Sequence, residues 1–154
     1  MDEEEELRFS AASSLKEGES VLLKGREEDG CFALMGLKRG YEDPLFEGTL
    51  TISRRKEGFL VINELPLELY IRKVIPSEMP SSYPLEALKA QAVCARTYAV
   101  KQMEVLRMED GIPADVDDSV SYQVYNNQPE SERSRQAAEE TRGQIMTENG
   151  ELVD

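Results

Sequence analysis

Glu78 stands at the centre of VIPSEMPSSYP (residues 74–84), among Ile75, Met79 and the three prolines Pro76, Pro80 and Pro84. Proline fixes φ and removes a backbone donor, so the stretch predicts a stiff turn with no regular element running through it. A carboxylate on such a turn, just ahead of a buried helix, is placed for acid–base chemistry: it gives a proton and takes one back. Its apolar, proline-lined surroundings are expected to desolvate it and favour the protonated form. An arbitrary glutamate, by contrast, is usually a solvated surface group. Other chemistries fall away, because the chain has no histidine. Ser-His-Asp and Cys-His nucleophiles are excluded and zinc sites are nearly so. Carboxylates, tyrosines and lysines remain as candidate catalytic groups.

Two helices must aim this carboxylate. Over residues 63–75, Leu67, Tyr70, Ile71 and Val74 fall at i, i+3, i+4 and i+7, one apolar face of a short helix. Pro66 suits its first turn and Pro76 is expected to stop it. A longer helix is predicted from Pro84 to about residue 107, with Ser82 or Tyr83 at its cap. Leu85, Leu88, Ala92, Ala95, Ala99, Met103 and Leu106 make its stripe. Cys94, inside this helix, reads as a small buried thiol. Gln91 and Arg96 flank the stripe on opposite sides. A guanidinium near a core needs acceptors, so Arg96 either ties a loop through backbone carbonyls or contacts a ligand; the sequence leaves both open.

The residues before 62 read as short strands: SVLLKG, GCFALMGL, FEGTLTIS and GFLVIN, with glycines between or at the edges. Residues 1–6 are a self-solvating charge run. Residues 108–119 form a loop turning at Asp110-Gly111. Its aspartates Asp115, Asp117 and Asp118 lack the spacing of a calcium loop. VSYQVYN (residues 120–126) reads as a strand or extended segment with Gln123 and Tyr125 on one face. A third helix spans about 129–142 with Gly143 as its C-cap. QIMT then reads as a strand, Glu148-Asn149-Gly150 as a tight turn, and ELVD as the start of a return strand. The fold class is α+β: a small antiparallel β-rich part (1–62), then a helix-rich core with a mixed sheet (63–154).

A net charge of −13 argues against nucleic acid or anionic lipid as partner. Cys31 and Cys94 are too few for a disulfide framework. Residues 1–14 have neither the basic start nor the apolar stretch of a signal peptide.

The run VIPSEMPSSYPLEALKAQAVCARTYAV (residues 74–100) resembles the signature of the stage II sporulation protein D family, the peptidoglycan lytic transglycosylases of spore-forming bacteria and their relatives. LPLELYIRKV, DSVSYQVYN and TRGQIMTENGELVD resemble its neighbouring landmarks, so the likeness covers about residue 59 onward. The resemblance implies that Glu78 is a single acid/base. It would protonate the oxygen between N-acetylmuramic acid and N-acetylglucosamine, then accept the proton of the muramoyl C6 hydroxyl as a 1,6-anhydro ring closes. It also implies that residues 120–126 line the groove, giving Tyr83, Gln91, Arg96, Gln123 and Tyr125 as expected substrate contacts. Amides and tyrosines suit sugars. Many members carry histidine and cysteines in the 112–122 region, which suggests a zinc-stabilised loop. Here Ile112, Asp117 and Tyr122 stand about there, so neither zinc nor any other cofactor is expected. Expected partners are glycan strands of peptidoglycan, with a wall amidase or other septal protein as a second possibility, outside the cytoplasmic membrane. Some relatives are described as amidase enhancers, so a non-catalytic wall-binding module is the alternative. Members continue past the final hairpin, so the chain reads as lacking the C-terminal part of the domain.

Overall fold

Apolar residues at alternate positions make short strands of the first half of the chain. The computed structural model describes residues 10–25, 30–35, 37, 44–104, 113–126 and 128–153. The expectations for residues 1–6, Gly40, the Asp110-Gly111 turn, Ile112 and the end of the long helix at Leu106 and Arg107 lie outside the described residues. A four-residue helix, α1 (Ala11–Ser14), which the strand-like reading did not foresee, comes first. It is followed by β1 (Ser20–Lys24), β2 (Cys31–Ala33), β3 (Leu45–Glu47), β4 (Thr49–Arg55) and β5 (Gly58–Glu64). The sheet order is β1-β4-β5, with β2 and β3 paired separately, and every pairing is antiparallel.

Val21 faces Ile52 and Leu23 faces Leu50 across β1 and β4. Side chains alternate between faces, and this register turns Leu50 and Ile52 into the interior. Gly48 separates β3 from β4 with φ +80°, and a Cβ there would collide with the Glu64 carbonyl oxygen. Only glycine meets both demands.

The helices depart from expectation at one informative place. Helix α2 (Leu67–Glu78) runs through Pro76 instead of stopping there, and residues 63 and 64 belong to β5. The turn predicted around Glu78 is therefore the last turn of a helix. Proline in a helix costs about 3 kcal/mol by removing a bond and crowding the preceding turn. Burying an aliphatic side chain returns roughly 1.5–3 kcal/mol. Ile71, Val74 and Ile75 are all fully buried, so packing outweighs the local preference. The Met79 N–H still reaches the Ile75 carbonyl, at 2.9 Å.

Helix α3 (Leu85–Glu104) is about 30 Å long. The Pro84 carbonyl accepts its first N–H groups, from Ala87 at 3.0 Å and Leu88 at 3.2 Å, so Pro84 rather than Ser82 or Tyr83 opens it. Leu88, Ala92, Ala95 and Ala99 form the buried stripe, while Met103 is exposed. Cys94 is exposed too, contrary to the buried thiol expected. It lies about 100° from Ala95 and 200° from Ala92 on the helix, on the outer face.

Helix α4 (Glu132–Glu140) is capped by Ser131, whose hydroxyl accepts the Ser134 N–H while the Ser134 hydroxyl accepts the Ser131 N–H. Gly143 follows with φ +72°. β6 (Thr147–Glu148) and β7 (Glu151–Leu152) close as a hairpin over Asn149 and Gly150, both at positive φ, as a tight two-residue turn requires. Where a mixed sheet was expected in this half, the strands among the described residues pair only antiparallel.

The architecture is α+β. One apolar cluster joins Phe46, Leu50 and Ile52 of the strands to Ile71, Val74 and Ile75 of α2, Leu88 and Ala92 of α3, and Ala137 of α4. The three long helices pack against one another. Among the described residues no helix is long and apolar enough to cross a membrane.

Candidate functional site

The C-terminal end of α2 presents two consecutive polar side chains, Ser77 and Glu78, to the extended segment 123–126. Glu78 Oε1 accepts the Val124 N–H at 2.7 Å, and Ser77 Oγ accepts the Asn126 N–H at 3.1 Å. In an extended chain, N–H groups at i and i+2 point to the same side, which is why neighbouring helix residues catch both. Ser77 Oγ also donates to the Lys73 carbonyl at 2.9 Å, back along its own helix. Glu78 is exposed. The desolvation expected from Ile75, Met79 and Pro80 is therefore not provided: Ile75 turns into the core and leaves the carboxylate at the surface.

The same segment is held from beneath. Gln123 and Tyr125 share its inward face, as the period of two predicted, and both are more than nine-tenths buried. Gln123 accepts the Tyr70 hydroxyl at 3.1 Å and donates to the Ala95 carbonyl at 3.3 Å. Tyr125 stacks on Tyr70, with ring centroids 5.7 Å apart and planes 5° from parallel. Burial first, then Tyr98 and Glu78, pushes the Tyr70 hydroxyl well above the ordinary tyrosine range. Burial and the charges of Glu47 and Glu130, with Tyr70, do the same for Tyr125. Both rings therefore stay neutral. Gln123 and Tyr125 were expected to face a ligand; their polar and aromatic surfaces are instead spent on holding the segment down.

Arg96 has the same fate. It is 1% exposed. Its five donors meet Glu68 Oε1 (2.9 Å) and Oε2 (2.8 Å) and the carbonyls of Gln144 (3.1 Å), Ala92 (3.3 Å) and Ala138 (3.4 Å). Of the two roles left open for it, this is the internal tie, joining α2, α3, α4 and the chain leading to β6. A guanidinium with no remaining donor cannot also contact a ligand. Glu68 is tuned by the arrangement. Partial burial raises its pKa, but the Arg96 hydrogen bonds, the Gly143 N–H and the charges of Arg96 and Arg142 outweigh this and hold it below the usual carboxylate range.

Tyr83 is 48% exposed on the loop before α3. Arg133 of α4 braces that loop by donating to the Ser82 and Tyr83 carbonyls. Gln91 is half-buried on α3. Of the six residues singled out in the sequence, Glu78 and Tyr83 are the ones at the surface.

Sequence reasoning missed a network beside the site. Arg72 binds Glu130 at 2.6 Å, and Lys73 bridges Glu130 (3.1 Å) and Glu47 (2.8 Å). Burial depresses the Lys73 pKa, but the hydrogen bonds it donates to Glu47 and Glu130, with their charges, more than compensate and raise it overall. The signal was present in part: Arg72 and Lys73 fall one turn before Ser77 and Glu78. Their acids, on β3 and before α4, carry no local mark.

Among the described residues the zinc-bearing pattern is not matched by histidine or cysteine. Asp117 Oδ1 is engaged by the Ser119 N–H at 2.8 Å. No histidine exists in the chain, and no group of three metal-ligating side chains comes together among the described residues. The described residues of this loop do not assemble a zinc site.

Comparison with known proteins follows the same geometry. The family model described as SpoIID, Stage II sporulation protein, matches residues 55–147, which hold α2, α3, α4 and the 123–126 segment. An uncharacterized protein of Brachyspira hyodysenteriae is 38% identical over 127 residues, covering 82% of this chain and 32% of the relative. A Bacillus subtilis protein named amidase enhancer is 37% identical over 83 residues, 54% of this chain and 10% of that protein. The Stage II sporulation protein D of Bacillus subtilis is 33% identical over 106 residues, 60% of this chain and 31% of its own length. The chain thus spans about a third or less of the length of these relatives.

Proposed function

The chain belongs to the stage II sporulation protein D family, and from that premise we propose that it acts on the bacterial cell wall as a lytic transglycosylase of peptidoglycan glycan strands, with Glu78 as its single acid/base. The observation that carries this reading is the Glu78 carboxylate, exposed at the end of α2 and steadied by the Val124 N–H. The acid gives its proton to the bridging oxygen as the bond from that oxygen to the muramoyl anomeric carbon breaks. The C6 hydroxyl of the same sugar attacks that carbon, and its proton returns to the carboxylate. No water is consumed and the acid is regenerated, so one carboxyl group suffices where hydrolysis uses two. The site faces the cell envelope in this reading, and Tyr83, exposed on the loop ahead of α3, is the ring available for a sugar face.

A second reading has its own support. Arg96, Gln123 and Tyr125 are buried, which leaves few polar side chains to grip a glycan, and one relative is named an amidase enhancer. In this reading the chain is a non-catalytic module that binds the wall or acts on a wall amidase.

Mass spectrometry of peptide-free glycan strands, after incubation with the wild type and with Glu78→Gln, separates the two. Anhydro-muramoyl products that vanish in the variant support the transglycosylase. No such products from the wild type, with stimulation of an added amidase, supports the module. Equal products from both proteins removes Glu78 as the acid.

A further inference from the structure

Glu78 has two carboxylate oxygens, and the structure treats them differently. Oε1 lies 2.7 Å from the Val124 nitrogen, within the short range of charge-assisted hydrogen bonds. Oε2 accepts no hydrogen bond from the described residues. Resting on the transglycosylase reading above, we propose that the two oxygens divide the work: Oε1 is the fixed acceptor that sets the carboxyl plane, and Oε2 carries the proton to the glycosidic oxygen and takes it back. We further assign Ser77 and Gln123 as positioning residues that keep the Val124 N–H on Oε1.

The Val124 N–H occupies one of the two lone pairs of Oε1. An N–H on Oε1 favours that oxygen as the acceptor, carbonyl-like oxygen of the protonated group, which leaves the proton on Oε2, where no described residue donates. The backbone donor is held from both sides. Before it, Gln123 is locked between the Tyr70 hydroxyl and the Ala95 carbonyl. After it, Tyr125 is stacked on Tyr70 and Asn126 is tied to Ser77. Ser77 is tied in turn to the Lys73 carbonyl one turn earlier. Val124 therefore cannot slide along α2 without breaking contacts on α2 and α3 together. A single-carboxyl mechanism needs this more than a two-carboxyl one, because the same oxygen must reach the leaving oxygen and then the incoming hydroxyl.

The anchor can be read without any substrate. The amide resonance of Val124 in the 15N-labelled chain is followed through the carboxyl titration range. Tyr70 faces this site from α2, and tyrosines do not ionise in that range. Glu47 of β3 and Glu130 ahead of α4 act on the adjoining Tyr125 and are paired with Lys73, so Glu78→Gln is the control for their titration. The Val124 amide is expected to move with pH in the wild type through a step that is missing from Glu78→Gln, which keeps an Oε1 acceptor but cannot ionise; a smaller drift common to both proteins belongs to Glu47 and Glu130. Ser77→Ala is expected to shrink that response and to lower kcat on glycan strands roughly ten- to a hundredfold at nearly unchanged KM, as a misplaced catalytic group does. Ser77→Thr, which keeps the hydroxyl, is expected to restore both. A Val124 amide that ignores pH in the wild type, or moves equally in Glu78→Gln, overturns the anchor. Ser77→Ala that loses thermal stability but keeps kcat and the amide response overturns the positioning role. If the wild type yields no anhydro product while the amide titrates as expected, the anchor stands, but the transglycosylase reading and with it the division of labour are overturned.

Discussion

Removing the charge of Glu68 should destabilise the protein far more than its position near the surface suggests. Glu68 is 23% exposed, but the guanidinium that it neutralises is 1% exposed. In Glu68→Gln, Arg96 keeps its three carbonyl acceptors and loses two charge-assisted bonds to a carboxylate. Breaking a buried pair by removing one partner costs about 3–5 kcal/mol. The partial exposure of Glu68 and the retained carbonyls place this case near the lower end, about 3 kcal/mol. For a chain of this size 1 kcal/mol shifts Tm by roughly 2–4 °C, so thermal unfolding followed by circular dichroism should show a fall of roughly 6–12 °C. Replacing both residues, as Glu68→Leu with Arg96→Met, should recover only part of the loss: no charge is then left buried, but the Gln144, Ala92 and Ala138 carbonyls and the Gly143 N–H lose the partners they had here. The sign with pH follows from the depressed pKa of Glu68. A carboxyl group whose folded pKa lies below its ordinary value of 4.5 contributes stability that is fully present above that value. The contribution is lost as pH falls through the folded pKa. The gap between wild type and Glu68→Gln should therefore be constant above about pH 4.5 and narrow below it. A Glu68→Gln protein within about 0.5 kcal/mol of wild type, the usual range of a surface substitution, would refute the claim that this pair ties the helices together.

Two further outcomes are expected. Gly48→Ala forces a side chain into positive φ and against the Glu64 carbonyl, so it should cost about 1–3 kcal/mol in urea denaturation and loosen the β3–β4 junction; an unchanged midpoint would mean that the two strands can part freely there. Cys94, exposed on the outer face of α3, should be labelled by a maleimide in the folded protein without denaturant, and Cys94→Ser should leave stability within about 0.5 kcal/mol of wild type.

Features whose signals are local are legible in the amino-acid order. Strand alternation around Leu50 and Ile52, the alanine stripe of α3, the Asn149-Gly150 turn and the glycine after α4 each follow from chemistry within a few residues. So does the prominence of Glu78, set by the motif that surrounds it. The tertiary structure decided what each polar residue near that motif is for. Pro76 reads as a helix stop, yet α2 continues through it because three aliphatic side chains gain more by burial than one proline costs. Gln123, Tyr125 and Arg96 read equally well as ligand contacts or as internal ties. The difference lies in partners 28 to 55 positions away: Tyr70 and Ala95 for the segment, Glu68 for the guanidinium. Spacing along a chain fixes which face a side chain occupies. Whether that face meets solvent, and which carboxylate comes to meet a guanidinium, depends on how helices pack, and no local pattern records it.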